Sequence, residues 1–459
     1  MDLVEQLDHI FYPRSVAVVG ASANPEKMGF MCVGNLLEAG FGGRVYPVNP
    51  GLAQLFGLKA YSSVTAIPGE VDLAMVVIPA EFTLSTIEEC IAKGVKGAIL
   101  ISGGFREVGT EVGLDLQARL KSMANKGGMK IIGPNTLGLI NPRAKLNASF
   151  QYTLSLSHAG NVAVAAQSGG TTIYVVHALT NHNVGISKAI GLGNRCNLDF
   201  DELVPYFGQD KDTEVIVLYV EGLEQPRRLI EVAQEVAKRK PIVVYKAGRG
   251  EEMGWATLSH TGALAGKYEF YKAAFHQAGM IVVDSVTELV DVAKALALQP
   301  AAVGNRVAVF SVQAGPGIIM ADKCHEQGLK LAQFSSATKR RLRQLASPLN
   351  PVDNPVDLAW KSDEFDVCRE MLKIVLEDDG VDAIAVAAVF YGSNMEVMRA
   401  VVDVARGSLK PIIVCLDSPG GAAYAEINAL EESSIPTYSL PERAVTGLAG
   451  LVRYGEILR

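Results

Sequence analysis

One histidine of this chain has surroundings that suit a nucleophile. His260 lies in the glycine-rich segment 247–266, AGRGEEMGWATLSHTGALAG, which is long for a connection between a predicted strand and a predicted helix. A neutral imidazole is available at physiological pH, so it can attack a phosphoryl group without a strong base. The small neighbours Ser259, Thr261 and Gly262 leave room for a bulky phosphorylated partner. His260 is therefore a candidate phosphoryl acceptor, and the alternative is a loop histidine that only hydrogen-bonds to the backbone.

A carboxylate that could orient this imidazole follows a predicted buried strand. Glu221 comes directly after the apolar run 215–220, where a parallel sheet delivers side chains to its carboxyl edge. A carboxylate there can hold the second ring nitrogen of His260. The alternative is a solvated strand-end glutamate with no role in chemistry.

Three turns of small residues each follow a predicted strand and open a predicted helix. Glycine lets a ligand approach the backbone, and the free N–H groups at a helix N-terminus favour an anion such as phosphate. A single turn of this kind is also typical of any tight connection, but three in corresponding positions favour binding. The residues concerned are Gly20, Ala21 and Ser22; Ser168, Gly169 and Gly170; and Gly315, Pro316 and Gly317.

The first turn does not match a dinucleotide site. The string GASANP lacks the later glycines of the GxGxxG fingerprint, and the second strand ends in Val48-Asn49-Pro50 without an acidic residue for a ribose. A different phosphate-bearing ligand is therefore predicted at this sheet edge, where later strands end in Pro79, Ser102, Gly103, Gly104 and Asn135. The string GALAGKY at 262–268 has the wrong spacing for an ATP-binding P-loop, so chemistry on a nucleoside triphosphate is expected to need another chain.

The elements that position these residues alternate between apolar β-branched runs and amphipathic helical stretches, which is the pattern of parallel α/β sheets. The pattern repeats and predicts three consecutive α/β domains at 1–145, 146–300 and 301–459, the first of them Rossmann-like. The predicted strands are 15–20, 44–48, 73–78, 97–101, 130–132, 161–166, 213–220, 241–245, 280–283, 306–310, 383–389 and 411–415.

The composition argues against a membrane protein and against a nucleic-acid-binding protein. The 459 residues are 49% hydrophobic, carry a formal charge of −7, and contain no apolar run of the ~18 residues that a membrane span needs. Neither nucleic acid nor membrane is an expected partner. The six cysteines show no CxxC pair and the seven histidines are dispersed, so no metal site is predicted and the thiols are expected in the core. The acidic N-terminus lacks the pattern of a signal peptide, which indicates a cytoplasmic protein.

Together these motifs resemble the α subunit of the ADP-forming (NDP-forming) acyl-CoA synthetases, relatives of succinyl-CoA synthetase. The strings SVAVVGAS, VNP, VIPA, ISGGF and IGPNTLGLINP are similar to the CoA-binding domain of that family. QSGG, YVEG and SHTGALAG are similar to its second domain, and AGPG and NPVD to its third. The resemblance covers nearly the whole chain, and SHTGALAG is its most specific part.

The resemblance implies a fold and a reaction. The fold is a Rossmann-like CoA-binding domain followed by two flavodoxin-like domains. The reaction converts acyl-CoA, phosphate and ADP reversibly into a carboxylic acid, CoA and ATP. An acyl phosphate forms first, His260 then takes the phosphoryl group with support from Glu221, and phospho-His260 passes it to ADP. The family places the CoA contacts in the first domain and phosphate at the turns that begin with Ser168 and Gly315.

The resemblance also implies a partner. ADP or ATP and Mg²⁺ would bind to an ATP-grasp β subunit, in an assembly of two α and two β chains. Two positions depart from the family pattern: Gly51 follows Asn49-Pro50 where many relatives have lysine, with Lys59 or Lys27 as substitutes, and Thr136 stands where cysteine is common. The alternatives are a CoA-binding regulatory or scaffold protein without catalysis, and a nicotinamide-dependent dehydrogenase.

Overall fold

The computed structural model of the chain describes residues 2–249, 268–348, 350–389 and 396–459. His260 therefore lies outside the described residues. The chain divides into two compact units, Met1–Asp284 and Ser285–Arg459.

The first sheet contains five parallel strands with helices between them. It is built from apolar runs buried along almost their full length, as expected where both faces of a parallel sheet are covered. A helix that precedes the sheet, Leu3–Phe11, is capped by Asp2, and the others are Met28–Glu38, Thr83–Lys93 and Glu111–Lys126. In spatial order the strands are Arg44–Val48, Ser15–Val19, Leu73–Val76, Gly97–Leu100 and Lys130–Ile132.

The second sheet contains seven strands. Five are parallel, and an antiparallel hairpin extends the sheet at one edge by pairing with the strand Ile186–Gly191. The helices of this domain are Gly169–Asn181, Phe200–Gln209, Pro226–Ala237 and Tyr268–Gln277. In spatial order the strands are Ile281–Val283, Ile242–Lys246, Val215–Val220, Ala159–Ala166, Ile186–Gly191, Gly138–Asn141 and Leu146–Ser149.

The second unit, Ser285–Arg459, has a third parallel sheet with its own core. Its strands are Lys330–Leu331, Arg306–Ser311, Ala383–Ala388, Ile412–Leu416 and Thr437–Tyr438 in spatial order, with Val356–Asp357 paired to the second of these. Its helices are Val286–Leu298, Ala314–Glu326, Ser336–Leu345, Phe365–Leu376, Glu396–Ala405, Tyr424–Glu432 and Pro441–Ile457.

The predicted fold class of three parallel α/β domains is confirmed, and each predicted strand has a counterpart. The strand Ile186–Gly191 was not predicted, because Ser187, Lys188 and Gly191 dilute its apolar pattern. The hairpin Gly138–Asn141 and Leu146–Ser149 was not predicted either, and it joins the second sheet. The domain boundaries at 145 and 300 stay predictions.

The described residues were also compared with the predictions for cysteine burial, membrane spans and metal sites. All six cysteines are buried and free, and burial raises the pKa of each thiol to about 12. Among the described residues, none of the helices combines the length and apolar character that crossing a bilayer requires. The same residues contain no group of three or more His, Cys, Asp or Glu side chains that could hold a metal ion.

A buried ion pair joins the first sheet's domain to the second. Lys188 is fully buried, and its ammonium donates to Asp210 Oδ2 at 2.5 Å and to the Tyr12 hydroxyl at 2.8 Å. The Tyr12 hydroxyl in turn donates to Asp212 Oδ2 at 2.8 Å. These contacts link the segment that follows the first helix to the second sheet, so the two domains pack through a satisfied polar cluster.

Lys188→Met is expected to destabilise the first unit. The substitution keeps an apolar stem of similar length but leaves Asp210 without its buried cation, a loss that typically costs about 3–5 kcal/mol. Chemical denaturation of the full chain, followed by circular dichroism, measures the change. Lys238→Met is the matched control, since Lys238 pairs with Glu235 on an exposed helix surface, and it should leave the unfolding midpoint unchanged. Equal midpoints for the two variants would contradict the assigned role of Lys188.

Candidate functional site

Turns from the first two sheets line one common cleft of about 590 Å³. It lies at the carboxyl ends of the strands, where open α/β sheets bind ligands. Six residues predicted from the sequence meet here: Ser102, Gly103 and Asn135 from the first sheet, and Ser168, Gly169 and Gly170 from the second. The other lining residues are Met28, Ile101, Thr136, Leu137, Phe150, Gln167, Ile173, Gly193 and Asn194.

The helix Gly169–Asn181 begins at this cleft with a side-chain cap. Ser168 is its N-cap residue, and the Ser168 hydroxyl accepts the backbone N–H of Thr171 at 3.2 Å. The N–H groups of the first turn have no partner inside a helix, and the helix dipole adds positive potential there. A side chain at Gly169 would lie 3.2 Å from Leu137 Cβ, so glycine permits the close approach of the two turns. The arrangement can bind an anion.

Gln167, directly before this cap, connects the turn to the predicted carboxylate. Its side-chain oxygen accepts the backbone N–H groups of Glu221 at 2.6 Å and Gly222 at 2.9 Å. Glu221 is itself buried, with 9% of its surface exposed. The structure therefore places Glu221 at the end of the strand Val215–Val220, beside the turn that begins with Ser168.

A buried lysine supports Glu221 from the neighbouring strand. Lys246 pairs with Val220 in the sheet, and its ammonium donates to the carbonyl of Glu221 at 2.8 Å and to that of Ala247. It also lies 4.7 Å from the centre of the Tyr271 ring. Burial lowers the pKa of Lys246 to about 8, against the opposing charge of Glu221. The chain leaves this strand towards His260, so Lys246 fixes the described start of that segment.

Arg249 holds the next part of the same segment. Its guanidinium donates to the Lys246 carbonyl at 3.0 Å, to Asp284 Oδ1 at 2.6 Å and to the Val283 carbonyl at 2.6 Å. The ring of Tyr268 packs 4.6 Å from the guanidinium carbon. Both described ends of the segment, at 249 and 268, therefore meet at one point.

Hydrogen bonds also join the loops of the first sheet to the second. Glu107 Oε1 accepts the backbone N–H of Gly104 at 2.6 Å, while its other oxygen accepts the side-chain amide of Asn194. The backbone N–H of Asn135 donates to the Ser102 carbonyl at 2.9 Å. The cleft is thus bounded by loops that position one another. Glu107 and Asn194 were not predicted from the sequence, because partners 87 residues apart give no local signal.

Thr136, one of the two departures from the family pattern, has a structural role. It is buried, its hydroxyl donates to the Gly191 carbonyl, and it accepts the backbone N–H of Gly138 at 3.0 Å. Threonine therefore secures the start of the strand Gly138–Asn141 against the strand Ile186–Gly191.

A second cleft of about 320 Å³ lies at the carboxyl edge of the first sheet. Gly20 and Pro79 line it together with Asn49 and Pro50. Gly20 has a φ of +91°, and a Cβ there would lie 2.3 Å from the Val77 carbonyl oxygen, so only glycine fits without strain.

The turn at Gly20 is held by the second strand. The side-chain amide of Asn49 donates to the carbonyl of Ala21 at 2.7 Å, and Ala21 itself is buried. The Ser22 hydroxyl accepts the backbone N–H of Asn24 at 3.1 Å and shapes the end of the turn. Of the two lysines considered as substitutes at position 51, Lys59 lies 5.3 Å from the Tyr61 ring centre and Lys27 is exposed before the helix Met28–Glu38.

The third predicted turn belongs to the other unit. Gly315, Pro316 and Gly317 form the first turn of the helix Ala314–Glu326. The side-chain oxygen of Gln313 accepts the backbone N–H of Val389 at 3.3 Å, which repeats the arrangement of Gln167 one domain earlier. This turn lies in Ser285–Arg459 and has the geometry of a helix N-terminus, which can bind an anion.

Two protein-family comparisons match the chain. Residues 14–142 match a CoA binding domain, and residues 159–296 match a succinyl-CoA ligase like flavodoxin domain. The first range contains the cleft at Gly20, and the second contains Ser168, Glu221 and Lys246. The comparisons therefore cover both halves of the common cleft.

Comparisons over the full length agree. The chain is 41% identical to the α subunit of the ADP-forming acetate–CoA ligase II of Pyrococcus furiosus, with 97% of each chain covered. It is 38% identical to the ADP-forming acetate–CoA ligase I of Archaeoglobus fulgidus, of whose length it spans 64%. Among solved structures it is similar to the dinucleotide-forming acetyl-coenzyme A synthetase 1 of Ca. Korarchaeum cryptofilum, in complex with phosphate and ADP. That similarity has a TM-score of 0.91 and 34% identity, and covers 98% of this chain and 97% of the other.

The lowered pKa of Lys246 predicts a pH dependence of stability. The folded chain disfavours the charged form, so burial of the ammonium costs stability below pH 8, and this cost disappears as the pH rises towards the ordinary value of 10.5. The free energy of unfolding of the wild type, relative to Lys246→Met, should therefore increase between pH 8 and 10.5. Urea denaturation of both proteins across this range measures the difference. A constant difference would show that Lys246 has an ordinary pKa in the folded chain, and a difference that falls would show that its pKa is raised.

Proposed function

The chain belongs to the family of ADP-forming (NDP-forming) acyl-CoA synthetases, and we propose that it is the α subunit of such an enzyme. It converts acyl-CoA and phosphate, through an acyl phosphate and phospho-His260, into a free carboxylic acid, CoA and a phosphoryl group that is passed to ADP. One observation carries the proposal: the common cleft unites the turns of a CoA binding domain with a helix N-terminus suited to phosphate. A small carboxylic acid and its CoA thioester are the proposed substrates.

In the first step, an oxygen of phosphate attacks the thioester carbonyl carbon. The carbon–sulfur bond breaks, CoA leaves as a thiolate that takes up a proton, and an acyl phosphate remains. The N–H groups after Ser168 stabilise negative charge on the phosphate, and such fixed dipoles need no reorganisation during the reaction. Gly20, Ala21, Ser22 and Pro79 hold the distal part of CoA, while Ser102, Gly103, Gly104 and Asn135 lie on the path towards the thioester.

In the second step, a ring nitrogen of His260 attacks the phosphorus atom of the acyl phosphate. The bond from phosphorus to the acyl oxygen breaks, and the carboxylate leaves. Glu221 accepts a hydrogen bond from the other ring nitrogen and stabilises the positive charge that forms on the imidazole. The contacts of Gln167, Lys246 and Arg249 support this role for Glu221, because they fix its backbone and the described start of the segment 247–266.

In the third step, phospho-His260 transfers its phosphoryl group to ADP on a partner. We propose an ATP-grasp β subunit in an assembly of two α and two β chains, which the similarity to an α subunit and to a longer single-chain ligase supports. Mg²⁺ on that partner would neutralise phosphate charge during transfer. The turn at Gly315, Pro316 and Gly317 is proposed as a further phosphate contact.

His260→Ala should abolish the phosphoenzyme. Incubation of the wild type with an acyl-CoA panel and phosphate is expected to add one acid-labile phosphoryl group per chain, because no other proposed step retains phosphorus on the protein. Intact-mass spectrometry detects the adduct, and the most effective thioester identifies the acid. The control is His325→Ala, since His325 is exposed on the helix Ala314–Glu326.

Two outcomes would contradict the mechanism. Phosphate retained by the His260→Ala chain would place the acceptor elsewhere. A wild-type chain that binds CoA but never carries phosphate, even with the partner subunit present, would be a regulatory or scaffold protein.

Gly20→Ala should weaken CoA binding. The added Cβ would lie 2.3 Å from the Val77 carbonyl oxygen at a φ of +91°, so the turn must shift. Strain of about 1–3 kcal/mol at such a site corresponds to a loss of affinity of at least about fivefold. Isothermal titration with CoA measures the loss. Gly42→Ala is the matched control, because a Cβ at Gly42 meets nothing within 4 Å. Wild-type affinity in Gly20→Ala would place CoA away from this turn.

A further inference from the structure

The side-chain amide of Gln167 has its two ends in different environments. Its oxygen accepts two backbone N–H groups, those of Glu221 and Gly222. Its nitrogen is buried and has no hydrogen-bond partner among the described residues. The side chain is 2% exposed and lines the common cleft. One half of the amide is therefore fully used, and the other half is an unsatisfied donor.

The two donors at 221 and 222 fix which way the amide is oriented. An amide oxygen accepts and an amide nitrogen only donates, so the oxygen must face the two N–H groups and the nitrogen must lie on the opposite side. A buried donor without a partner costs about 1–3 kcal/mol. A ligand that supplies an acceptor oxygen would remove that cost. The amide is thus prepared to donate to a bound anion.

The surroundings indicate the anion. Gln167 directly precedes Ser168, whose helix presents its free N–H groups to the same cleft. Among the described residues that line the cleft there is no charged side chain. Within the described lining, the donors to a bound phosphate would all be neutral, and they would stabilise its charge through their dipoles. Each added donor then contributes directly to affinity.

We propose that Gln167 is a phosphate ligand, whose amide nitrogen donates to an oxygen of inorganic phosphate and of the acyl phosphate. This inference rests on the proposed function. The same amide joins the phosphate to the strand end that carries Glu221, so binding and the position of the carboxylate are linked through one side chain. We call the contact between the amide oxygen and the backbone N–H groups of the next strand end the clamp. The same contact recurs between Gln313 and Val389, which indicates that the clamp is a feature of the fold. The unpartnered nitrogen at Gln167 adds the binding role.

Gln167→Glu separates the clamp from the ligand. Glutamate has the same shape and keeps an oxygen for the two backbone N–H groups, but it replaces the donor nitrogen with an oxygen that repels phosphate. Gln344→Glu is the control for added charge, because Gln344 is exposed on the helix Ser336–Leu345. Gln167→Ala removes both functions and serves as the reference for loss of the clamp.

The experiment measures phosphate and acyl-CoA dependence separately on the full chain. Isothermal titration with inorganic phosphate gives binding, and initial rates of phosphoenzyme formation give the two KM values. For Gln167→Glu we expect KM for phosphate to rise at least about tenfold, a change of about 1.4 kcal/mol. KM for acyl-CoA should match the wild type, while the thermal midpoint should fall because a carboxylate replaces a neutral amide in a buried position. Lower pH should reduce the phosphate defect relative to the wild type, since a protonated carboxyl again donates.

The wild type is measured at the same pH values as a reference, because phosphate and the nearby side chains of Glu221 and Lys246 can also change protonation. An unchanged KM for phosphate in Gln167→Glu would overturn the inference. So would a parallel rise of both KM values, as in Gln167→Ala, because it would show that only the hydrogen bonds to the backbone of residues 221 and 222 matter. Failure of the wild type to bind phosphate or form a phosphoenzyme would overturn the proposed function itself, and the inference with it.

Discussion

The cleft depends on the way the loops after neighbouring strands use one another's hydrogen-bonding groups. Parallel strands end with backbone N–H and carbonyl groups that the ladder no longer satisfies, and a buried group left in that state is costly. Here the side chain of Gln167 accepts two such N–H groups, and the ammonium of Lys246 donates to two such carbonyls. The hydrogen bonds that stabilise the strand ends are therefore also the ones that position Glu221.

The electrostatics of the cleft follow from this design. Its described lining carries dipoles and hydroxyls in place of cations. Neutral donors bind an anion less tightly than a buried cation would. Moderate affinity suits the phosphoryl group of the proposed reaction, which must bind, react and dissociate. Lys246 and Arg249 are not among the described lining residues. Lys246 and Arg249 contact backbone carbonyls at the base of the segment that carries His260.

The sequence predicted the fold class and most strands because their apolar runs are nearly uninterrupted. It missed Ile186–Gly191, where a buried lysine stands in the middle of a strand and is tolerated only because Asp210 and Tyr12 meet it. For the site, six of the predicted positions lie in one cleft, while Gly20 and Pro79 line a second. The supporting residues Glu107, Asn194 and Lys246 act through contacts with distant residues or with backbone atoms, and such contacts leave no pattern along the chain. Gln167 was visible as the first residue of QSGG, but its role needed the observation of where each end of the amide points.

The hairpin formed by Gly138–Asn141 and Leu146–Ser149 connects the two domains of the first unit in a further sense. It leaves the first sheet's domain before the second begins, it packs against the helix Met28–Glu38 through a hydrogen bond from Asn35 to the Ser149 carbonyl, and it completes the second sheet by pairing with Ile186–Gly191. During synthesis from the N-terminus, its inner strand therefore has an open edge until about fifty further residues have left the ribosome. Two edge strands of the second sheet are thus synthesised together with the first domain, before the strand Ile186–Gly191 with which one of them pairs.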